Sequence, residues 1–274
     1  MRYLITGAAG GIGRAVAALA ATGAAPVSLL LVDRDQAALD RVVAALRAQG
    51  ATAVGFAADL ADPGAPDAVV AAAVEEFGGL DTVVSNAGVM HGGPLEDLDL
   101  ASYETTFAVN TRATWLLGKA AFTELRRSRG SIVATASVSA THPTPPAGMY
   151  SPSKAALLML VQQMALEWGR YGIRANCVSP GPTDTPLTRA SFGRGATGEA
   201  ARNRVYRENL IPLRRIGRPE DVAAAVMFLA GPAAAQVTGV DLKVDGGLSL
   251  AVMPVTGRAP GFRLEDIATE EVSQ

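Results

Sequence analysis

Tyr150 and Lys154 stand four residues apart in the stretch YSPSK, residues 150–154. Only three lysines, Lys119, Lys154 and Lys243, occur among 24 basic residues, and the chain has five tyrosines. General basic usage therefore does not explain a lysine one helical turn from a tyrosine. Residues four apart share a helix face, and a proline between them is tolerated only in a first turn. The spacing predicts a helix beginning close to Tyr150, with phenol and ammonium on one side. A free tyrosine titrates near pH 10 and is a poor base at neutral pH. Positive charge nearby favours the phenolate, and lowering its pKa by ~3 takes ~4 kcal/mol. A phenolate so placed can take the proton of a hydroxyl group. An ammonium on a flexible stem reaches several oxygens at once, which a planar guanidinium does not. The plainer alternative, two residues on a solvated helix face, conflicts with how rare lysine is here.

A second constellation lies at the N-terminus. TGAAGGIG, residues 6–13, follows the β-prone run YLIT and precedes an alanine-rich helical stretch. Gly7, Gly11 and Gly13 leave room for backbone to approach a pyrophosphate, and the helix N-terminus offers free N–H groups to the anion. Asp33 closes the next apolar run about 20 residues on, where an acid meets adenosine ribose hydroxyls. Its charge opposes a 2′-phosphate, so NAD is expected over NADP. Arg34, able to pair with that phosphate, is the feature that points the other way. The competing reading of Asp33 is a turn or helix cap.

These residues need a frame. Short apolar runs at 3–6, 27–33, 52–59, 80–88, 130–137, 173–181 and 240–247 read as strands. Helical patterns fall at 13–23, 36–50, 66–78, about 99–127, about 150–170 and 218–231. The near-continuous apolar character of VSLLLVD suits a parallel strand covered on both faces. Alternation of this kind predicts an α/β fold, a doubly wound parallel sheet with helices on both faces. No shift in composition marks a second domain. We expect a single Rossmann domain over 1–247, a substrate-lid insertion at about 182–217 without regular pattern, and a tail at 248–274.

Composition narrows the class. Hydrophobic residues make up 49% of the 274 and charged residues 18%, so a large core is affordable and most of the chain is not solvated tail. A net charge of −2 argues against a nucleic-acid partner. Cys177 alone forms no internal disulfide, and two histidines, His91 and His142, do not make a metal centre, so none is expected. No apolar run reaches the ~18 residues of a membrane span. The opening MRYLITGAAG already reads as strand and turn, and a cytoplasmic location is expected.

In order along the chain, the motifs resemble those of the short-chain dehydrogenase/reductase family, in its compact single-domain NAD(P)-binding branch, over about residues 2–247. TGAAGGIG resembles its cofactor turn. SNAG (85–88) resembles its Asn-Asn-Ala-Gly segment, departing at Ser85. ASVS (136–139) resembles the end of its fifth strand, with Ala136 at the first of two usual serines and Ser137 thirteen residues before Tyr150. YSPSK resembles its Tyr-x-x-x-Lys, and SPGPTDT (179–185) its Pro-Gly turn.

The resemblance implies roles. Tyr150 is the general acid/base, and Ser137 holds the substrate oxygen. Lys154 binds the nicotinamide ribose and lowers the tyrosine pKa. Asn110, in FAVNTRA (107–113), fixes a water that passes protons onward from Lys154. Ile12, Asn86, Ala87 and Gly88 line the cofactor channel, with Asp59 and Leu60 flanking the adenine. Pro180, Gly181, Thr183 and Thr185 border the nicotinamide, Thr185 binding its carboxamide. Read without the resemblance, Ser137 is a strand-end cap, Asn110 a polar interruption of a helix, and Thr183 and Thr185 supports of a turn. The resemblance also implies a homotetramer.

The expected activity is hydride transfer between NAD and a small or medium, largely apolar secondary alcohol or ketone. The alternatives are an NADPH-dependent carbonyl or 3-oxoacyl-thioester reductase and, from another class, a non-catalytic NAD-sensing protein. Met90, His91, the 139–149 segment and the 186–216 insertion are candidate pocket walls. His142 reads as solvated. Arg189, Arg194, Arg202, Arg204 and Arg207 either meet an anionic substrate or keep a lid soluble, the second being favoured. APGF (259–262) is a candidate contact with a neighbouring subunit.

Overall fold

A computed structural model describes residues 1–23 and 26–251. The APGF segment lies outside the described residues. Seven strands, β1 (Arg2–Thr6), β2 (Ser28–Asp33), β3 (Thr52–Ala57), β4 (Thr82–Ser85), β5 (Ser131–Thr135), β6 (Arg174–Pro180) and β7 (Asp241–Val244), form one sheet in the order β3-β2-β1-β4-β5-β6-β7. All pairings are parallel. Strand order reverses between β1 and β4, which opens a crevice at the carboxyl ends of the strands.

Strand side chains alternate between two cores, as a period of two requires. Tyr3, Ile5, Leu29, Leu31, Val84 and Val133 pack against α1 (Gly11–Ala21), α2 (Gln36–Ala48) and, further along the chain, α9 (Pro219–Ala230). Leu4, Leu30, Val32, Val83 and Ile132 pack on the opposite face. There they meet α3 (Ala65–Phe77), α5 (Ala113–Ser128) and α6 (Tyr150–Trp168). Leu30 and Leu31, both fully buried, lie on opposite faces. Burial of each such side chain contributes about 1.5–3 kcal/mol.

Helix ends follow their local chemistry. Asp35 caps α2, its carboxylate accepting from the Ala38 N–H at 2.9 Å. Gly78 closes α3 with φ of 69°, a left-handed conformation that costs glycine little.

Two elements differ from the sequence reading. The helix expected over about 99–127 is α4 (Leu100–Phe107) and α5, joined by a π-helical turn over Ala108–Arg112. The insertion at 182–217 carries two helices, α7 (Arg189–Phe192) and α8 (Gly198–Leu210). No residue of α8 is fully buried, so it has no apolar stripe for a periodicity reading to find.

Candidate active site

The carboxyl ends of the strands enclose a cleft of about 630 Å3. At one end lies the glycine turn. Gly7 has φ of 63°, and a Cβ there would sit 3.0 Å from the Ala87 Cα. A Cβ on Gly13 would overlap the Gly7 carbonyl, so α1 can start directly over the turn only with glycine at 13. Gly10 caps α1 without any side-chain bond, leaving first-turn N–H groups for an anion. Gly7, Gly11 and Ile12 line the cleft; Gly13 does not, and acts through packing. This cradle fits a dinucleotide pyrophosphate.

Asp33 ends β2 with its carboxylate fixed by backbone. Oδ2 accepts from the Ala9 N–H at 3.0 Å and Oδ1 from the Asp35 N–H at 3.3 Å. It lines the cleft beside Arg34, and Asp59 and Leu60 line it from beyond β3. Asp59 also holds its own turn, accepting from the Ala61 N–H at 2.8 Å.

Past β4, Asn86 ties three strand ends together. Its amide donates to the Thr6 carbonyl at 3.1 Å, and its Oδ1 accepts from Thr135 Oγ1 at 3.0 Å. Asn86, Ala87 and Gly88 all border the cleft. Ser85, the departure from the family pattern, is buried and bonds Thr114 at 2.7 Å.

Ser137, Tyr150 and Lys154 come together where β5 meets α6, and all three line the cleft. Ser137 Oγ accepts from the Ser139 N–H at 3.1 Å. Its hydroxyl stands near enough to the Tyr150 phenol to favour the ionised form of that group. Tyr150 opens α6, as its spacing to Pro152 predicts. Lys154 is buried, its Nζ donating to the Thr135 carbonyl at 2.7 Å and lying 5.8 Å from the centre of the Tyr150 ring.

The electrostatics depart from expectation. Burial pushes the Tyr150 phenol above its ordinary value, and the smaller effect of the Ser137 hydroxyl works downward. Burial also lowers Lys154 to about 8, with a weaker opposing effect from Cys177. Desolvation disfavours both charged forms. Neither ordinary value is shifted toward an ammonium–phenolate pair in the protein alone.

Asn110 sits behind the cleft in the π turn, 1% exposed and not in its wall. Its Oδ1 accepts from the Val89 N–H, and its amide donates to the Val89 carbonyl and to Ser153 Oγ, each at 2.9 Å. Ser153, which the sequence reading passed over, donates in turn to the Tyr150 carbonyl at 2.7 Å. Gly88 is the point where this network meets the lysine. A Cβ there would lie 3.4 Å from Asn110 Oδ1 and 3.5 Å from Lys154 Nζ. π turns recur at functional sites because they re-aim backbone groups within a helix.

Pro180, Gly181, Thr183 and Thr185 line the cleft at the end of β6. Thr183 bonds the Gly181 carbonyl at 2.9 Å and so braces its turn. Thr188, a further residue the sequence reading missed, donates to the Thr183 carbonyl at 2.6 Å and accepts from the Thr185 N–H at 3.1 Å. Its signal was the recurrence of threonine around Pro182 and Pro186. A Cβ on Gly11 would stand 3.1 Å from Thr185 and 3.3 Å from Pro186, so the root of the insertion rests on the glycine turn.

Of the other wall candidates, Met90 lines the cleft, whereas His91 and His142 are exposed and outside it. His91 bonds Thr106 at 3.2 Å and His142 bonds Thr141 at 2.9 Å. Among the described residues, no group of three or more His, Cys, Asp or Glu could hold a metal ion. Among them, too, no helix is long and apolar enough to cross a membrane.

A family model described as enoyl-(acyl carrier protein) reductase matches residues 7–249. The chain is 37% identical over 247 residues to 2-(S)-hydroxypropyl-CoM dehydrogenase 3 of Xanthobacter autotrophicus, covering 89% of this chain and 95% of that protein. A short-chain dehydrogenase from Burkholderia cenocepacia, solved in complex with NADP, is 36% identical with a TM-score of 0.81, covering 90% of this chain and 97% of that one. The 3-ketoacyl-(acyl-carrier-protein) reductase of Brucella melitensis, solved with NADH, is 31% identical with a TM-score of 0.81, covering 90% and 98%. With the parallel sheet, the glycine cradle and the Ser137–Tyr150–Lys154 cluster, these matches establish that the chain belongs to the short-chain dehydrogenase/reductase family.

Proposed function

We propose that the cleft transfers hydride between NAD and a small or medium secondary alcohol or its ketone. The observation that carries this is the cluster of Ser137, Tyr150 and Lys154, which lines the same cleft as the glycine turn. Two hydroxyls at one point suit a substrate oxygen that is a hydroxyl in one direction and a carbonyl in the other. The nicotinamide, when bound, accepts hydride from the carbinol carbon.

The chain's own residues handle the proton. Ser137 Oγ already accepts from the Ser139 N–H, so its own proton is available for donation to the substrate oxygen. Tyr150 Oη takes the proton of the alcohol as the carbonyl forms, and returns it in reduction. Lys154 spends one donor on Thr135 and has two left for ribose hydroxyls and the phenol side of the site. Asn110 and Ser153 fix the backbone around this point and, with Gly88, keep the space beside Lys154 open for a proton-carrying water.

Asp33, held by two backbone N–H groups, supports NAD as the preferred cofactor, its charge opposing a 2′-phosphate. The relatives solved with NADP and with NADH fit either nucleotide. Arg34, beside Asp33 in the cleft wall, favours the second reading, an NADPH-dependent carbonyl or 3-oxoacyl-thioester reductase. Residues 182–217 act as the substrate lid of a domain spanning 1–247. Exposed Trp115, Met159 and Leu166, on α5 and α6, support assembly into a homotetramer. The cytoplasm is the proposed location.

Tyr150→Phe tests the reading. It is expected to lower kcat by about 10²–10⁴-fold while NAD affinity stays within about twofold. A wild-type protein that binds NAD yet oxidises nothing in a panel of secondary alcohols, diols and steroids would leave the sensing role or the NADPH-dependent reductase, which reduction of ketones and acyl thioesters with NADPH separates.

A further inference from the structure

The lid carries several arginines, and Arg194, Arg204 and Arg215 pair with carboxylates, Arg215 with Asp221. Arg194 and Arg204 both pair with Asp184, at 3.6 and 3.3 Å, and Arg204 also meets Glu208 at 3.1 Å. Arg207 is different. It lies on α8 in the wall of the cleft, with its guanidinium 4.7 Å from the centre of the Phe192 ring and its Nε donating to Asn203 at 3.0 Å. It forms no ion pair among the described residues, and no carboxylate contributes to its electrostatic surroundings.

A half-buried guanidinium without a carboxylate is costly where water is scarce, and burial lowers the Arg207 pKa. The neighbouring surface is apolar: Phe192 is 5% exposed and packs with Ile211, Ile216 and Leu248, while Leu187 and Met90 also line the cleft. The Phe192 ring and the Nε bond to Asn203 together restrain the guanidinium, which leaves its two terminal nitrogens as donors. A planar fork of this kind matches the oxygens of a carboxylate, sulfonate or phosphate.

We infer that Arg207 is a specificity-determining residue that anchors an anionic group on the substrate, so the preferred alcohol has its carbinol at Tyr150, an apolar spacer, and an oxyanion at the far end. This rests on the functional reading above and narrows it from apolar alcohols to those with a charged terminus. The anion could also come from a phosphate of the cofactor, and the test separates the two sources.

The experiment uses the full chain with saturating NAD, or NADP if that is the nucleotide bound. Secondary alkanols are compared with alcohols of equal length ending in a carboxylate, a sulfonate or a phosphate monoester. The wild type is expected to favour at least one anionic series by tenfold or more in kcat/KM. Arg207→Met is expected to lower kcat/KM for that series by about 10- to 100-fold more than for the neutral series, chiefly through KM, as loss of a charge-assisted hydrogen bond predicts. Arg207→Lys should recover part of the difference, which a purely packing role would not do.

Equal losses for neutral and anionic substrates, or no anionic preference in the wild type, overturn the inference and leave the alcohol oxidoreductase reading intact. A rise in nucleotide Kd matching the loss assigns Arg207 to the cofactor and likewise overturns it. If no alcohol is oxidised with either nucleotide, the functional reading fails and the inference falls with it.

Discussion

Lys154 donates from Nζ to the Thr135 carbonyl at 2.7 Å, and this bond ties the ammonium to the end of β5. The lysine is therefore held by the sheet and not by the Tyr150 phenol. Burial raises the Tyr150 pKa and lowers that of Lys154, so the protein alone keeps the phenol protonated at neutral pH.

The phenol should become acidic when positive charge arrives beside it. Binding of oxidised cofactor is expected to lower the apparent Tyr150 pKa by about 1–3 relative to the free protein, as an opposite charge within a few ångströms does. The neutral reduced ring should do less. Ultraviolet difference titration, with Tyr150→Phe subtracting the other four tyrosines, measures this directly. Identical titrations with the two cofactor forms would refute the mechanism of activation.

Lys154 also leaves a mark on stability. Its pKa is about 8 in the folded chain against 10.5 ordinarily. Between these values the unfolded chain holds a proton that the folded chain has released, so stability rises with pH across that window. The full effect is about 3 kcal/mol. Denaturant unfolding of wild type and Lys154→Met at pH 8 and pH 10 should show the gap moving in favour of the wild type by about 2–3 kcal/mol. A gap that does not change with pH contradicts the assignment.

Asn110→Ala removes bonds to both backbone groups of Val89 and to Ser153. Leaving a shielded backbone N–H unpaired costs about 1–3 kcal/mol, or a fall in Tm of roughly 2–4 °C per kcal/mol at this chain length. Turnover should fall further than the fraction unfolded explains, and the deficit should widen at low pH if proton exit beside Lys154 is impaired. A purely structural Asn110 would change Tm and leave the pH profile of kcat in place.

Asp33→Ser tests the cofactor preference. Removing the carboxylate that opposes a 2′-phosphate, with Arg34 left beside it, should raise the NADP-to-NAD ratio of kcat/KM by about tenfold or more. An unchanged ratio would mean the adenosine ribose sits elsewhere.

The parts of this site legible in the sequence were those written in short-range chemistry. Gly7 and Gly13 are demanded by a close approach of backbone, and Tyr150 and Lys154 by one helical turn. The seven strands followed from apolar runs covered on both sides. Less legible were features fixed by distant partners. The π turn around Asn110 has no glycine or proline to announce it, and its register is settled by Val89 and Ser153. Helix α8 lacks a buried face and is held by Arg204 to Asp184 and the Phe192 carbonyl and by Asn203 to the Ser191 carbonyl. The direction of the Tyr150 and Lys154 shifts depended on desolvation, a property of the whole enclosure and not of a four-residue spacing.

The seam between β1 and β4 pairs Tyr3 with Thr82, Leu4 with Val83 and Ile5 with Val84. The glycine turn hangs from one side of that seam, and Ser137, Tyr150 and Lys154 from the other. Those three rungs are thus the ruler for hydride travel. A slip of two residues would keep every side chain on its proper face and still displace donor from acceptor by about 6.6 Å, so the molecule would fold, bind its nucleotide and be chemically silent.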